Sequence, residues 1–274
     1  MKEIKFHKMQ GAGNDFVVID NRKYGFTLDE IVEFTPKMCD RKFGIGADGI
    51  LVLEPAQKTE VDFTMIYRNA DGSDAGMCGN GARCLVMFAF KNGFNATQTF
   101  NVHNNVYEAE VHNDNSVSVH FPVHVQPEKR ILNDITLIKA DAATEHLITF
   151  VPQEKLEDEK ELARVGSELR YHPEVNPPGS NVNFVFDNGC ESIHLQTYER
   201  GVEDLTLACG TGALASAVAT HFTRNQKEKH AAYTVKVKGG TLKVSFDFNS
   251  DNKTYHQLIL TGPAHFVFEG IYSL

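Results

Sequence analysis

Apolar and polar residues alternate most regularly in VYEAEV (106–111) and SVSVHF (116–121), which flank Asn113-Asp114-Asn115. A period of two broken by turn-forming residues predicts a hairpin with one covered face. The same pattern returns in YTVKVK (233–238) and TLKVSF (241–246), across Gly239-Gly240. Ahead of each hairpin the period changes, and residues 82–90 and 213–222 become apolar runs at helical spacing. NDFVVIDN (14–21) and VNFVFDN (182–188) read as the first strand of each of two halves, with DFTMIYRN and SIHLQTYER as a later strand in each. QEKLEDEKELARV (153–165) alternates charge at helical spacing and predicts a solvated helix face.

The recurrence is more than a matter of period. Cys-Gly-x-Gly stands at Cys78 and again at Cys209, 131 residues on, and a tyrosine, Tyr67 or Tyr198, precedes each cysteine by eleven residues. CDRKFGIGADGILVLEP in the first half has no evident counterpart in the second. Its FGIGADG lacks both the Lys-Ser/Thr ending of a phosphate loop and the dinucleotide fingerprint, so it reads as a turn. The expected architecture is α+β, with two pseudo-symmetric domains, each a mostly antiparallel sheet wrapped around a central helix. The boundaries fall at 1–123 and 124–263, with a last strand at 264–274 returning to the first domain. The joint lies near 122–140, and the cleft between the domains is the expected ligand site.

Composition narrows the function classes. Of 274 residues, 42% are hydrophobic and 23% charged, so the chain is of ordinary globular type. The formal net charge is −9 and no basic stripe is present, which argues against nucleic acid as a partner. No run reaches the roughly 18 apolar residues of a membrane span, and the start has no apolar signal core, so a cytoplasmic location is expected. Five cysteines, an odd number, do not suggest a disulfide scaffold. A zinc site from Cys39, Cys78 and Cys84 fits no common ligand spacing, so no metal is expected.

A cysteine directly before Gly-x-Gly at the start of a helix has a specific chemical meaning. The first amides of a helix lack internal partners and, with the helix dipole, favour negative charge there by roughly 0.3 to 2 kcal/mol. A substrate carboxylate can rest on the amides of Gly79 and Asn80, and the Cys78 thiol is expected to ionise below its usual value of about 8.5. Gly210, Thr211 and Cys209 repeat the arrangement. One thiol on either side of a bound carboxylate suits a two-base racemase or epimerase, which takes a proton from one face of a carbon and returns one to the other. The enolate-like transition state needs preorganised donors, each worth about 3 to 4 kcal/mol, and two helix starts supply them without a separate cofactor.

KMQGAGNDFVVID, FGIGADGILV, NADGSDAGMCGNGARC, GSNVNFV, YERGV and LACGTGA occur in one order, nearly end to end, and in this the chain resembles the diaminopimelate epimerase family. The resemblance implies a pyridoxal-independent enzyme of lysine and peptidoglycan precursor synthesis, with diaminopimelate as its small-molecule partner; a homodimer is left open. It makes Cys78 and Cys209 the acid and base, and Gly79, Asn80, Gly210 and Thr211 the holders of the reacting carboxylate. Asn14, Asn69, Asn183 and Arg200 would grip the rest of the substrate. Glu199 would contact an ammonium and tune a nearby thiol, and His146 would tune the other. The chain departs from the family's usual Gly-x-Pro-His in reading Ala143-Thr144-Glu145-His146, and it is one residue longer between Gly201 and Cys209.

Two rivals compete with this reading. A racemase of a different amino acid would share the thiols, although Arg200 and the asparagines favour a substrate with two amino-acid ends. A non-catalytic anion-binding protein would need helix starts but no cysteines.

Overall fold

The computed structural model describes every residue except Met1, Ala75 and Asn176, so Ala75 of the 69–84 motif lies outside the described residues. The chain begins β1 (Glu3–Gly11), β2 (Asn14–Asp20), α1 (Leu28–Cys39), β3 (Gly49–Pro55) and β4 (Phe63–Asn69). It continues α2 (Gly79–Lys91), β5 (Thr97–Val102), β6 (Asn105–Val111) and β7 (Ser116–Phe121). Next come β8 (Glu128–Leu132), β9 (Ile135–Asp141), β10 (Glu145–Phe150), α3 (Glu159–Arg170), β11 (Asn181–Asp187) and β12 (Ser192–Glu199). The remainder is β13 (Asp204–Thr206), α4 (Gly210–Thr223), β14 (His230–Val237), β15 (Gly240–Asn249), β16 (Thr254–Pro263) and β17 (His265–Ser273).

Two compact units result. One holds the chain up to His120 together with Gly262–Leu274, the other Phe121–Thr261. In the first, β17 pairs antiparallel with β1, then β1 with β2. The order runs on through β2–β3 parallel, β3–β4 antiparallel, β4–β5 parallel, and β5–β6 and β6–β7 antiparallel. The second unit repeats this sequence of senses from β8–β9 antiparallel onward, with β10 in the place of β2, β11 in that of β3, β12 in that of β4, and β14 and β15 in those of β5 and β6.

That register corrects the sequence alignment of the two halves. Phe16 pairs with Gly49 where His146 pairs with Asn181, so the counterpart of NDFVVID is the strand at 145–150, not VNFVFDN. VNFVFDN instead answers GILVLEP, so the stretch without an evident counterpart in sequence has one in the fold, with α1 answered by α3. Most of the stretch 122–140, expected to hold the joint, belongs to the β8–β9 hairpin of the second unit.

Each unit is wrapped on a helix that is buried almost all round. Residues 79–89 of α2 and 210–221 of α4 are buried, as the apolar runs predict. The expectation of one covered sheet face holds for β6, whose exposure alternates, but not for β2 and β3. Val17, Ile19, Ile50 and Val52 pack under α1 with Ile31, Phe34 and Met38, while the intervening Phe16, Val18, Leu51 and Leu53 are equally buried on the α2 side. Strands covered on both faces read as unbroken apolar runs. In the second unit α3 does the same work through Leu162 and Leu169 against Leu147, Val182 and Phe184. The charged stretch 153–165 is a 3-10 turn followed by α3, which starts on the side chain of Asp158.

Candidate active site

Cys78 and Cys209 are the N-cap residues of α2 and α4, with φ/ψ of −116°/116° and −116°/114°. Both central helices therefore begin on a cysteine in the same extended conformation, and the next residues, Gly79 with Asn80 and Gly210 with Thr211, carry amides without intrahelical partners. Cys78 Sγ accepts the Gly81 amide at 3.4 Å, whereas Cys209 Sγ lies 3.6 Å from Thr211 Oγ1. Glycine at the third helical position is a packing need: a Cβ on Gly81 would come within 2.9 Å of Leu51, and one on Gly212 within 2.6 Å of Asn183 Oδ1. Two other cysteines are of a different kind, because burial pushes the Cys39 and Cys84 thiols up to about 12.

Leu51 and Asn183 hold matching places, and so do Phe16 and His146, so the first unit backs its helix start with apolar groups where the second uses a polar network. His146 is wholly buried on β10. Asn183 Nδ2 donates to the Leu147 carbonyl at 3.3 Å, which fixes the amide's orientation, and the same nitrogen faces His146 Nδ1 at 2.9 Å. Nδ1 is then the acceptor and Nε2 carries the proton, donating toward Thr211 Oγ1 at 3.0 Å and Thr144 Oγ1 at 2.9 Å. Burial, seconded by the charge of Arg200 and opposed by the Asn183 hydrogen bond, lowers the imidazole to about 3. A neutral His146 thus orients Thr211, whose hydroxyl can direct its own proton at Cys209. Asn183 also belongs to this network through its Oδ1, which accepts from Thr197 Oγ1 at 2.8 Å.

Around Cys78 the partners come from the β1–β2 hairpin and the first turns of α2. Asn14 Oδ1 lies 3.7 Å from Cys78 Sγ and 3.5 Å from Asn80 Nδ2. Asn14 Nδ2 donates to Asp48 Oδ2 at 2.6 Å. Asp48 shares Arg41 with Asp15, which also pairs with Lys8. Burial of Asp15 works against ionisation, but hydrogen bonds from Arg41 and Lys8 outweigh it and hold the carboxyl at about 2.

The remaining predicted residues lie at strand ends. Asn69 closes β4, its amide on Ser73 Oγ at 3.0 Å. Glu199 closes β12, and Arg200 follows, with Nη1 on the Gly179 carbonyl at 3.0 Å and its backbone amide on Asn181 Oδ1 at 2.8 Å. Asn181, absent from the predicted set, stands two residues before Asn183 on the same strand face and reaches Thr144 Oγ1 at 3.5 Å. Asp48 and Thr197 are also new. Among the described residues no three His, Cys, Asp or Glu side chains gather closely enough to hold a metal ion, and no helix is long and apolar enough to cross a membrane.

The fold is shared with proteins of solved structure. A phenazine biosynthesis protein of the PhzF family from Bacillus anthracis superposes with a TM-score of 0.77 at 12% identity, covering all of both chains. A hydroxyproline epimerase from Agrobacterium vitis gives 0.74 at 13%, over 99% of this chain and 93% of its own. At such identities the likeness defines the class of fold. The family follows from sequence, since the profile of the diaminopimelate epimerases matches residues 6–122 and 139–267. Diaminopimelate epimerases of Flavobacterium psychrophilum and Chlorobaculum tepidum are each 39% identical over 97% of this chain, covering 99% and 100% of their own lengths. The chain belongs to the diaminopimelate epimerase family.

Proposed function

We propose that the protein interconverts LL- and meso-diaminopimelate without a cofactor, in lysine and peptidoglycan precursor synthesis in the cytoplasm. The observation that carries this is the pair of cysteines capping two buried helices with the same backbone geometry, in a chain of this family. One thiolate takes the α-proton and the other cysteine, as thiol, delivers a proton to the opposite face; their roles exchange with direction. The amides after each cysteine bind the reacting carboxylate and stabilise the charge that develops on it. His146 acts through Thr211, and Arg200, Asn69, Asn181 and Glu199 hold the remainder of the substrate. Arg200 suits a distal carboxylate because a guanidinium offers two parallel donors.

The test is incorporation of solvent deuterium into LL-diaminopimelate. Cys78→Ala and Cys209→Ala should each cut epimerisation by about three orders of magnitude or more, since either leaves one face without a proton carrier. Wild-type protein that racemises a monocarboxylic amino acid more efficiently than it epimerises diaminopimelate would overturn the substrate assignment and leave the two-thiol chemistry standing.

A homodimer is supported by β17, where Phe266, Val267, Phe268 and Ile271 are exposed on a strand that, among the described residues of its unit, pairs with β1 alone. Sedimentation should give twice the chain mass, and Ile271→Glu should reduce it to one; an unchanged single-chain mass in the wild type sinks the idea.

A further inference from the structure

Two asparagine amides stand in line between a buried cation and a carboxylate. At one end Arg83, wholly inaccessible, donates from Nη2 to Asn80 Oδ1 at 2.8 Å. Its other hydrogen bonds go to the carbonyls of Gly79 and Pro263, and among the described residues no carboxylate pairs with it. A guanidinium only donates, so Asn80 must turn its oxygen to Arg83 and its nitrogen away, toward Asn14 Oδ1. At the far end Asp48 only accepts, so Asn14 must turn its nitrogen to Asp48 and its oxygen inward. Both outer bonds are short and charge-assisted, and each fixes its amide independently of the other. The directions agree: every N–H in the line points from Arg83 toward Asp48, the arrangement in which successive hydrogen bonds polarise one another.

The atom left facing Cys78 Sγ is thereby determined. It is the carbonyl oxygen of Asn14, at 3.7 Å. Flipped, the same side chain would present an N–H there. An acceptor beside the sulfur favours the protonated thiol, while the Gly81 amide and the helix start favour the thiolate. Through its bond to Asn14 Nδ2, Asp48 decides which of Asn14's two faces the sulfur meets. Arg41 and the Asp15 amide hold the Asp48 carboxylate in turn, at 2.7 and 3.2 Å.

We propose that Asp48 is a positioning residue for Cys78, acting through Asn14, with Arg83 and Asn80 locking the relay at its other end. The inference leans on the function above only in taking Cys78 as a proton carrier. The consequence for that role is that Cys78 keeps its proton to higher pH than its helix start alone would allow.

The experiment reads the sulfur directly and needs no substrate. The pH dependence of iodoacetamide alkylation is followed at Cys78 and at Cys209 by peptide mapping, in the wild type, Asp48→Ala, Asn14→Ala and the double variant. In Asp48→Ala the Asn14 amide can turn over, and the midpoint at Cys78 should fall by about half a pH unit or more while that at Cys209 stays. Removing the Asp48 charge would by itself lower the midpoint as well, so the double variant decides: with Asn14 absent, loss of Asp48 should shift the midpoint by less than half as much as it does in the wild-type background. An equal shift in the Asn14→Ala background means that Asp48 acts by charge alone, and no shift in either background means that the relay does not govern the sulfur; both overturn the proposal. Asp48→Asn, which keeps the shape and offers Asn14 either polarity, should reproduce the shift and serves if the alanine variant folds poorly. A wild-type enzyme that failed to epimerise diaminopimelate would leave the alkylation result intact, so the two failures are separable.

Discussion

Gly81 and Gly212 occupy the same place in their helices, and what lies beneath them makes them unequal. A Cβ on Gly81 meets the end of the Leu51 side chain, a flexible methyl that can move aside. On Gly212 it meets Asn183 Oδ1 at 2.6 Å and the Sγ of Cys209 at 3.2 Å, and Asn183 is tied to His146, Leu147 and Thr197. Gly212→Ala should therefore displace Cys209 or break the His146 network, lowering kcat by ~100-fold or more, since small misplacements of reacting groups carry penalties of that order. Gly81→Ala should stay within about tenfold, because only packing beneath it has to adjust. Circular dichroism would establish that both variants fold, and equal losses of kcat would show that the polar backing of Cys209 has no special weight.

Some elements can be read from the chain because burial is one-sided. β6, β14 and β15 show a period of two in burial, β7 shows it in sequence although Ser118 on its polar face is buried too, and α2 and α4 follow Cys-Gly-x-Gly with unbroken apolar runs, so the hairpins, the central helices and both cysteines are legible. The strands that α1 and α3 cover from outside are harder. Buried on both faces, β2, β3 and β11 lose their alternation and look alike, which is why VNFVFDN resembles NDFVVIDN although sheet order pairs it with GILVLEP. β10 is short and carries His146 at a position where β2 has Phe16, so its likeness to β2 is hidden. The same limit explains Asn181 and Asn183. Both point the same way from one strand, and only depth separates the asparagine committed beneath α4 from the one beside Arg200 and Thr144. Asp48 escapes notice because its importance depends on meeting Asn14, 34 residues earlier.

Stability should respond to acid through His146. Its folded value, about 3, lies below the roughly 6.5 of an unfolded histidine, so the unfolded chain binds the proton first. The contribution is fully present above about pH 6.5 and is lost as pH falls toward 3, a difference of roughly 4 to 5 kcal/mol across the window. Urea midpoints should fall across that range in the wild type and more gently in His146→Gln; parallel slopes would show that other groups govern the acid limb. The two units also differ in how their chain is laid out. Phe121–Thr261 is one continuous stretch, whereas the unit built on α2 takes its edge strand β17 from the last residues, pairing Lys5 with Ile271 and Phe6 with Gly270. During synthesis the second unit has all its strands in hand before the first does. The earlier-made unit must wait, at ~5–20 residues per second on the order of ten seconds, with the edge of β1 open until the final strand emerges. For this protein the order of manufacture and the order of completion are reversed, and the interval in which the outer edge of β1 stands open is when a newly made chain is most exposed to pairing with a neighbour.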